Sequence, residues 1–341
     1  MARFRSIMLA TLTFAMLSSP LAAEPTAAKT APEQCGGGDM VAELAIKDPA
    51  AHSKIIADAA KIENGETLFW KIEKDGVPTS YLFGTIHVAD KRVVAIPAKV
   101  QAALADSKTL AVEIADMSDE GMLAAMTKVP ELLAYRDGTT LQAQLSPDEY
   151  AKVQGLITKS GMPAEAAVVL RPWLVSMLLA LSDCHRQQLE AGMQPLDGRI
   201  EATAKAAGIK VVGLETAESQ LAAMASIPND NQIQILKAGL AYADRTDDMI
   251  ETIIQLYLNR KISQTMPFQF MLAEKVGIPP SAYDDFVKIL VDNRNIKMRD
   301  GARPLLAKGG AFIAVGSLHL PGAAGLVKLL RDDGYQVTAA E

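Results

Sequence analysis

The chain has 341 residues, 34 Lys and Arg against 40 Asp and Glu, a net charge of −6 and 5% aromatic residues. An acidic balance argues against nucleic acid or an anionic membrane surface as a partner, and so few aromatic rings disfavour a base- or sugar-stacking platform. The length is enough to bury a sizeable core, as one large domain or two smaller ones.

Arg3 and Arg5 precede an apolar run from Ile7 to Leu17, broken by Ser18, Ser19 and Pro20 and followed by Leu21-Ala22-Ala23. The run is too short to span a bilayer and small residues follow it, so 1–23 reads as a secretory signal peptide cleaved near Ala23. Cleavage removes both Arg and takes the net charge from −6 to −8. No later stretch is apolar enough to span a membrane, so the expected location is periplasmic or secreted, with no membrane span after cleavage. Cys35 and Cys184 are the two cysteines. In an oxidising compartment they can pair, or they remain two free thiols.

Residues 24–40, rich in Ala, Pro, Thr and Gly, read as a disordered linker. Residues 41–62 read as two short helices divided at Pro49. Leu68–Ile72 and Thr79–Phe83 flank Asp75-Gly76, a hairpin signal. The second arm runs on as Tyr81-Leu82-Phe83-Gly84-Thr85-Ile86-His87. It is a short apolar strand, then a glycine that lets the backbone turn away sharply, then a histidine just past the strand end. Near the other end the chain repeats this as Phe312-Ile313-Ala314-Val315-Gly316-Ser317-Leu318-His319. Open α/β sheets keep their ligand crevices at such strand ends.

Pro97 opens a helix with Val100, Ala103 and Leu104 on one face. Thr109–Ile114 is the next strand, and this β-α-β spacing implies a parallel pair. Glu113 interrupts its apolar run; a carboxylate there must be paired, metal-bound or exposed. Residues 117–195 are rich in Ala, Leu and Met at helical spacing and read as a helical insertion, with His185 on one of its helices. Asp197–Ala207 reads as a helix stopped by Gly208, and the following strand ends at Glu215. Residues 217–280 are again helical. Ser281 with Asp284 suggests a capping box. The helix after it carries Val287, Val291, Arg294 and Met298 on one face, so Arg294 points inward and needs an acid or an anion. Strand Ala311–Val315, a helix at Gly325–Leu330 and an edge strand at Tyr335–Thr338 close the chain.

The fold class is α/β (α+β mixed). A central, mostly parallel or mixed sheet carries helices on both sides and a helical insertion. Residues 41–341 form one domain, with its core in 66–116, 196–216 and 281–341 and helices threaded through 117–195 and 217–280. His87, Glu113 and His319 stand at strand ends and can converge. Two imidazoles and a carboxylate suit a divalent metal with an open position for water. Glu215 is a further ligand or an orienter of the ligands, and Arg294 a stabiliser of the oxyanion. The H-E-x-x-H signature of zincins is missing.

The paired Gly-x-x-His motifs, Leu110-Ala111-Val112-Glu113, Val212-Gly213-Leu214-Glu215-Thr216 and Arg294-Asn295-Ile296-Lys297-Met298 together resemble the TraB/GumN family, over Leu68 to Glu341. That family is related to the Tiki metalloproteases and, more distantly, to erythromycin esterases. The resemblance implies metal-dependent hydrolysis of a peptide or protein substrate. Manganese or cobalt is the first candidate and zinc a third. It also places the Arg294-Asn295 pair in the site. It leaves two alternatives: a metal-free esterase-like enzyme with His87 as general base and Glu113 orienting it, or a non-catalytic periplasmic factor for polysaccharide export or for a cofactor such as haem.

Overall fold

The computed structural model describes residues 34–115 and 119–341. The expected signal peptide and residues 24–33 of the expected linker lie outside the described residues. The strands are β1 (Phe69–Lys74), β2 (Val77–Thr85), β3 (Thr109–Ile114), β4 (Lys210–Glu215), β5 (Ala311–Gly316) and β6 (Gln336–Ala339). The helices that bear on the site are α1 (Met40–Lys47), α2 (Pro49–Ala59), α3 (Ala98–Ala105), α4 (Asp183–Glu190), α5 (Leu196–Ala206), α6 (Thr246–Leu258), α7 (Asn293–Lys308) and α8 (Leu326–Asp332).

The six strands form one mixed sheet in the order β4-β3-β5-β2-β1-β6. β2, β5, β3 and β4 run parallel, and β1 pairs antiparallel with β2 and with β6. Gly76 supplies the positive φ, +74°, that the tight β1–β2 hairpin requires. β2 and β3 are parallel, as their spacing implies, but they are not neighbours, because β5 from the end of the chain slots between them. That insertion puts Glu113 beside the second Gly-x-x-His turn.

Both faces of the sheet are covered. Phe83, Leu110, Val112 and Phe312 meet Val100 and Leu104 of α3, Ile200 and Ala204 of α5 and Ile254 and Tyr257 of α6. On the other face Leu82, Ala111, Ile313 and Val315 meet Met298, Ala302 and Leu306 of α7 and Val327 and Leu330 of α8. The period-2 alternation within β5 sends Phe312 and Ala314 to one layer and Ile313 and Val315 to the other. The helical stretch between β3 and β4 builds a separate cluster around Leu141, Val153, Ile157 and Val175, joined by Leu236.

Two expectations need correction. The linker read over 24–40 does not run as far as residue 40, because residues from Cys35 onward are held in place. Cys35 is disulfide-bonded to Cys184 and buried, the Gly38 N–H donates to Asp248 Oδ1 at 2.7 Å, and the Met40 N–H donates to Thr252 Oγ1 at 2.8 Å. The capping box at Ser281 does not form. Ser281 lies inside a 3-10 turn, Pro280–Tyr283, and no side chain caps the helix at Asp284–Val287 that follows. Pro279 and Pro280 start the turn earlier than the Ser-x-x-Asp spacing suggests, since proline presets the φ of a first helical position.

Candidate active site

β2, β3, β4 and β5 end on the same side of the sheet, and the site is built there. β2 and β5 pair in parallel register, with Gly84 opposite Val315 and Thr85 opposite Gly316. The two Gly-x-x-His turns therefore leave the sheet side by side. Both glycines are required for close approach. A Cβ at Gly84 would lie 2.9 Å from Leu320 Cδ2 and 3.1 Å from Ser317 Cα. A Cβ at Gly316 would lie 3.1 Å from Glu113 Oε1 and 3.3 Å from His87 Nε2.

His87 follows β2, its side chain 61% exposed. His319 sits in a 3-10 turn, Ser317–His319, and is buried. Their Nε2 atoms lie 4.0 and 3.8 Å from the same atom, Glu113 Oε1. Glu113 is buried within β3; its Oε1 accepts the Gly316 N–H at 2.6 Å and its Oε2 accepts from Arg294 Nη2 at 2.6 Å. Arg294 Nε donates to Glu215 Oε2 at 2.7 Å. Arg294 Nη1 donates to the Leu290 carbonyl at 3.3 Å and lies 3.4 Å from His319 Nε2. A π-helical turn, Lys288–Asp292, precedes α7 and shifts the backbone pairing by one residue; the Arg294 side chain meets the Leu290 carbonyl within it.

Each imidazole is fixed at its other nitrogen. His87 Nδ1 is 2.8 Å from Asp197 Oδ2, and Asp197 Oδ1 also accepts from the Thr85 hydroxyl. His319 Nδ1 is 2.8 Å from Asn295 Oδ1, while Asn295 Nδ2 donates to the Ala324 carbonyl at 2.9 Å. The Asn295 oxygen is therefore an acceptor, His319 carries its proton on Nδ1, and its Nε2 keeps a lone pair. Asp197 imposes the same tautomer on neutral His87.

Charge sets the protonation states. The Asp197 carboxylate holds His87 above the usual imidazole range, against some loss of hydration and with Glu113 adding to the effect. Burial pushes His319 down to about 4, so it is neutral at pH 7. Glu113 is lowered to about 2: burial opposes ionisation, and neighbouring positive charge with the Gly316 N–H outweighs it. At the low pH where Glu113 titrates, His319 is itself protonated, and it leads that charge, followed by His87 and Arg294. Burial pushes Glu215 up although Arg294 pulls the other way. Arg294 loses hydration, and the two carboxylates more than compensate, so it stays charged.

His87, Glu113, His319, Arg294 and Asn295 thus come together, and Glu215 joins them through Arg294 rather than by facing the imidazoles. Asp197 and Thr85 are members that sequence reading missed. An acid in the first turn of a helix reads equally well as a partner of the helix dipole, so nothing local marked Asp197 out.

Among the described residues no group of three or more His, Cys, Asp or Glu side chains is gathered as a ready metal cluster. The donor chemistry still fits a divalent ion. His319 offers an Nε2 lone pair as it stands, and His87 offers one once an ion displaces its proton. Both Nδ1 atoms are fixed and both Nε2 atoms flank one carboxylate oxygen, the arrangement in which outer hydrogen bonds orient imidazole ligands.

An α/β protein with paired histidine turns around a buried, arginine-bound glutamate at the carboxyl ends of parallel strands is the class defined here. The chain belongs to the TraB/PrgY/gumN family, whose model matches residues 68–339. No curated protein matches the chain.

Proposed function

We propose that this protein is a metal-dependent hydrolase of peptide bonds, of the Tiki type, working in the periplasm or outside the cell. The observation that carries the reading is the approach of His87 Nε2 and His319 Nε2 to Glu113 Oε1, at 4.0 and 3.8 Å, with both Nδ1 atoms already engaged. His87, His319 and Glu113 would hold the ion, with manganese or cobalt the first candidates and zinc a third. Such an ion polarises a carbonyl and supplies hydroxide near neutral pH. The chain's own residues do the rest. Asp197 and Asn295 keep both Nε2 atoms facing inward. Arg294 fixes Glu113 and Glu215, and with Nε, Nη1 and Nη2 all engaged it acts mainly by orienting the carboxylates. This narrows the oxyanion role that its position first suggests. The Cys35–Cys184 disulfide supports an oxidising compartment.

A second reading has its own observation. Asp197 at 2.8 Å from His87 Nδ1, with the His87 ring largely open to solvent, is also how a metal-free general base is oriented, with Asp197 in place of Glu113 as the orienting acid. Metal analysis of the purified protein and a peptide-library assay, before and after chelation and with manganese, cobalt or zinc returned, separate the two. Activity restored by metal and absent from His319→Ala supports the first; cleavage that survives complete chelation supports the second.

A further inference from the structure

The turn that carries His87 is tied on both flanks to one helix, α6, that belongs to neither Gly-x-x-His motif. On the near side, Tyr257 Oη donates to the Gly84 carbonyl at 2.8 Å, and Tyr257 is buried. On the far side, Arg92 grips Asp90 through Nε and Nη2 at 2.9 and 2.8 Å. The same guanidinium grips Glu251 through Nη1 and Nη2 at 2.8 and 2.7 Å. Asp90 is fully buried, and its Oδ1 also accepts the Arg92 N–H at 2.9 Å. Gly84 and Asp90 lie three residues before and after His87, while Glu251 and Tyr257 are on the same helix. The helix is itself anchored, since Asp248 and Thr252 accept the Gly38 and Met40 N–H groups of the segment closed by the Cys35–Cys184 disulfide.

One arginine shared by two poorly hydrated carboxylates is an expensive way to hold a loop. Well-packed apolar side chains would stabilise it as well or better. What the fork adds is direction, because two bidentate contacts fix the angle of the chain as well as its distance. His87 needs that direction. Its ring is largely exposed, yet its Nε2 must face Glu113.

We propose that Glu251, acting through Arg92 and Asp90, and Tyr257, acting through the Gly84 carbonyl, are positioning residues for His87, so that α6 splints the histidine turn. The proposal rests on His87 being a site residue and holds for either reaction described above.

The test uses the full mature chain without added metal, so that failure of the metal reading leaves it intact. Amide exchange is followed at residues 86–90 and, as a reference, in β5 at 311–316, in wild type, Tyr257→Phe and Glu251→Gln. Tyr257→Phe keeps the ring and removes one neutral hydrogen bond, so exchange at 86–90 rises about fivefold. Glu251→Gln loses charge-assisted contacts and raises it more, on the order of tenfold or above. Exchange in β5 stays within about a factor of two in both, as a local effect requires. In both variants the ring Nδ1–H signal of His87 broadens while that of His319 does not, a readout that a purely structural role for α6 would not move selectively. Wild-type exchange and an unchanged His87 signal in both variants would overturn the proposal. So would acceleration in β5 equal to that at 86–90, which would mean the whole sheet had loosened.

Discussion

Thr85 at the end of β2 lies opposite Gly316 at the end of β5, in parallel register. This pairing makes one site out of two histidines that are far apart in sequence. It also places the Gly316 N–H on the Glu113 carboxylate, so the strand inserted between β2 and β3 delivers a histidine and a hydrogen bond together.

The two histidines should differ when replaced. The His87 side chain is largely exposed, and His87→Ala should abolish activity at a cost of only about 0.2–1 kcal/mol in unfolding free energy, the size of losing its pair with Asp197. His319 is buried and holds Asn295 Oδ1, so His319→Ala should abolish activity and also cost about 1–3 kcal/mol. Denaturant unfolding of both variants beside a turnover assay checks this. Equal stability losses would contradict the different burial of the two rings.

Arg294→Lys keeps the charge but cannot bridge two carboxylates with the geometry of the guanidinium. Turnover should fall roughly a hundred- to a thousand-fold, the size of losing one positioned donor at an active site. Arg294→Met should go further and cost about 3–5 kcal/mol of stability, because Glu113 and Glu215 stay buried without their cation. Full turnover in Arg294→Lys would make this residue a charge balance only.

The disulfide closes a loop with a sequence separation of 149 residues. In the chain-entropy account that constrains the unfolded chain by about 5 kcal/mol. Cys35→Ser should lower unfolding free energy by an amount of that order. Reductant should destabilise wild type and leave the variant unchanged. A reductant effect of the same size on both would place the stabilisation elsewhere.

Acid should weaken the Asp90–Arg92–Glu251 set. Burial opposes ionisation of Asp90 and the Arg92 contacts outweigh it, while Arg92 is the leading cause at Glu251, so both carboxyls titrate below their ordinary values of 3.8 and 4.5. Depressed folded-state pKa values mean that the stabilisation is complete above the unfolded values and is lost as pH falls through the folded ones. Unfolding free energy should therefore drop from about pH 4.5 downward, and Asp90→Asn should show a flatter decline than wild type. Parallel curves in the two proteins would show that Asp90 is not among the groups responsible.

Much of the fold was legible because its signals are local. Asp75-Gly76 marked the hairpin, Pro97 the start of α3, and Gly84 and Gly316 the places where strands give way to histidine turns. The site residues within those motifs were legible for the same reason. Partners supplied from a distance were not. Nothing in the sequence around Asp197 says that its carboxylate meets His87, and nothing around Tyr257 says that its hydroxyl meets Gly84. The Lys288–Asp292 π-turn left no mark in the apolar spacing that put Arg294 on the inner face. The placing of β5 between β2 and β3 is also a property of the whole sheet, since spacing gives strand direction but not strand order.

The central claim is that His87, His319 and Glu113 form a divalent-metal site. The most direct measurement is calorimetric titration of the metal-free protein with manganese, cobalt and zinc, beside Glu113→Gln. The account predicts one ion bound per wild-type chain and binding lost in Glu113→Gln, whose fold is intact by circular dichroism. Equal binding by the variant, or none of the three ions bound by a wild-type protein that still cleaves peptides, would contradict it.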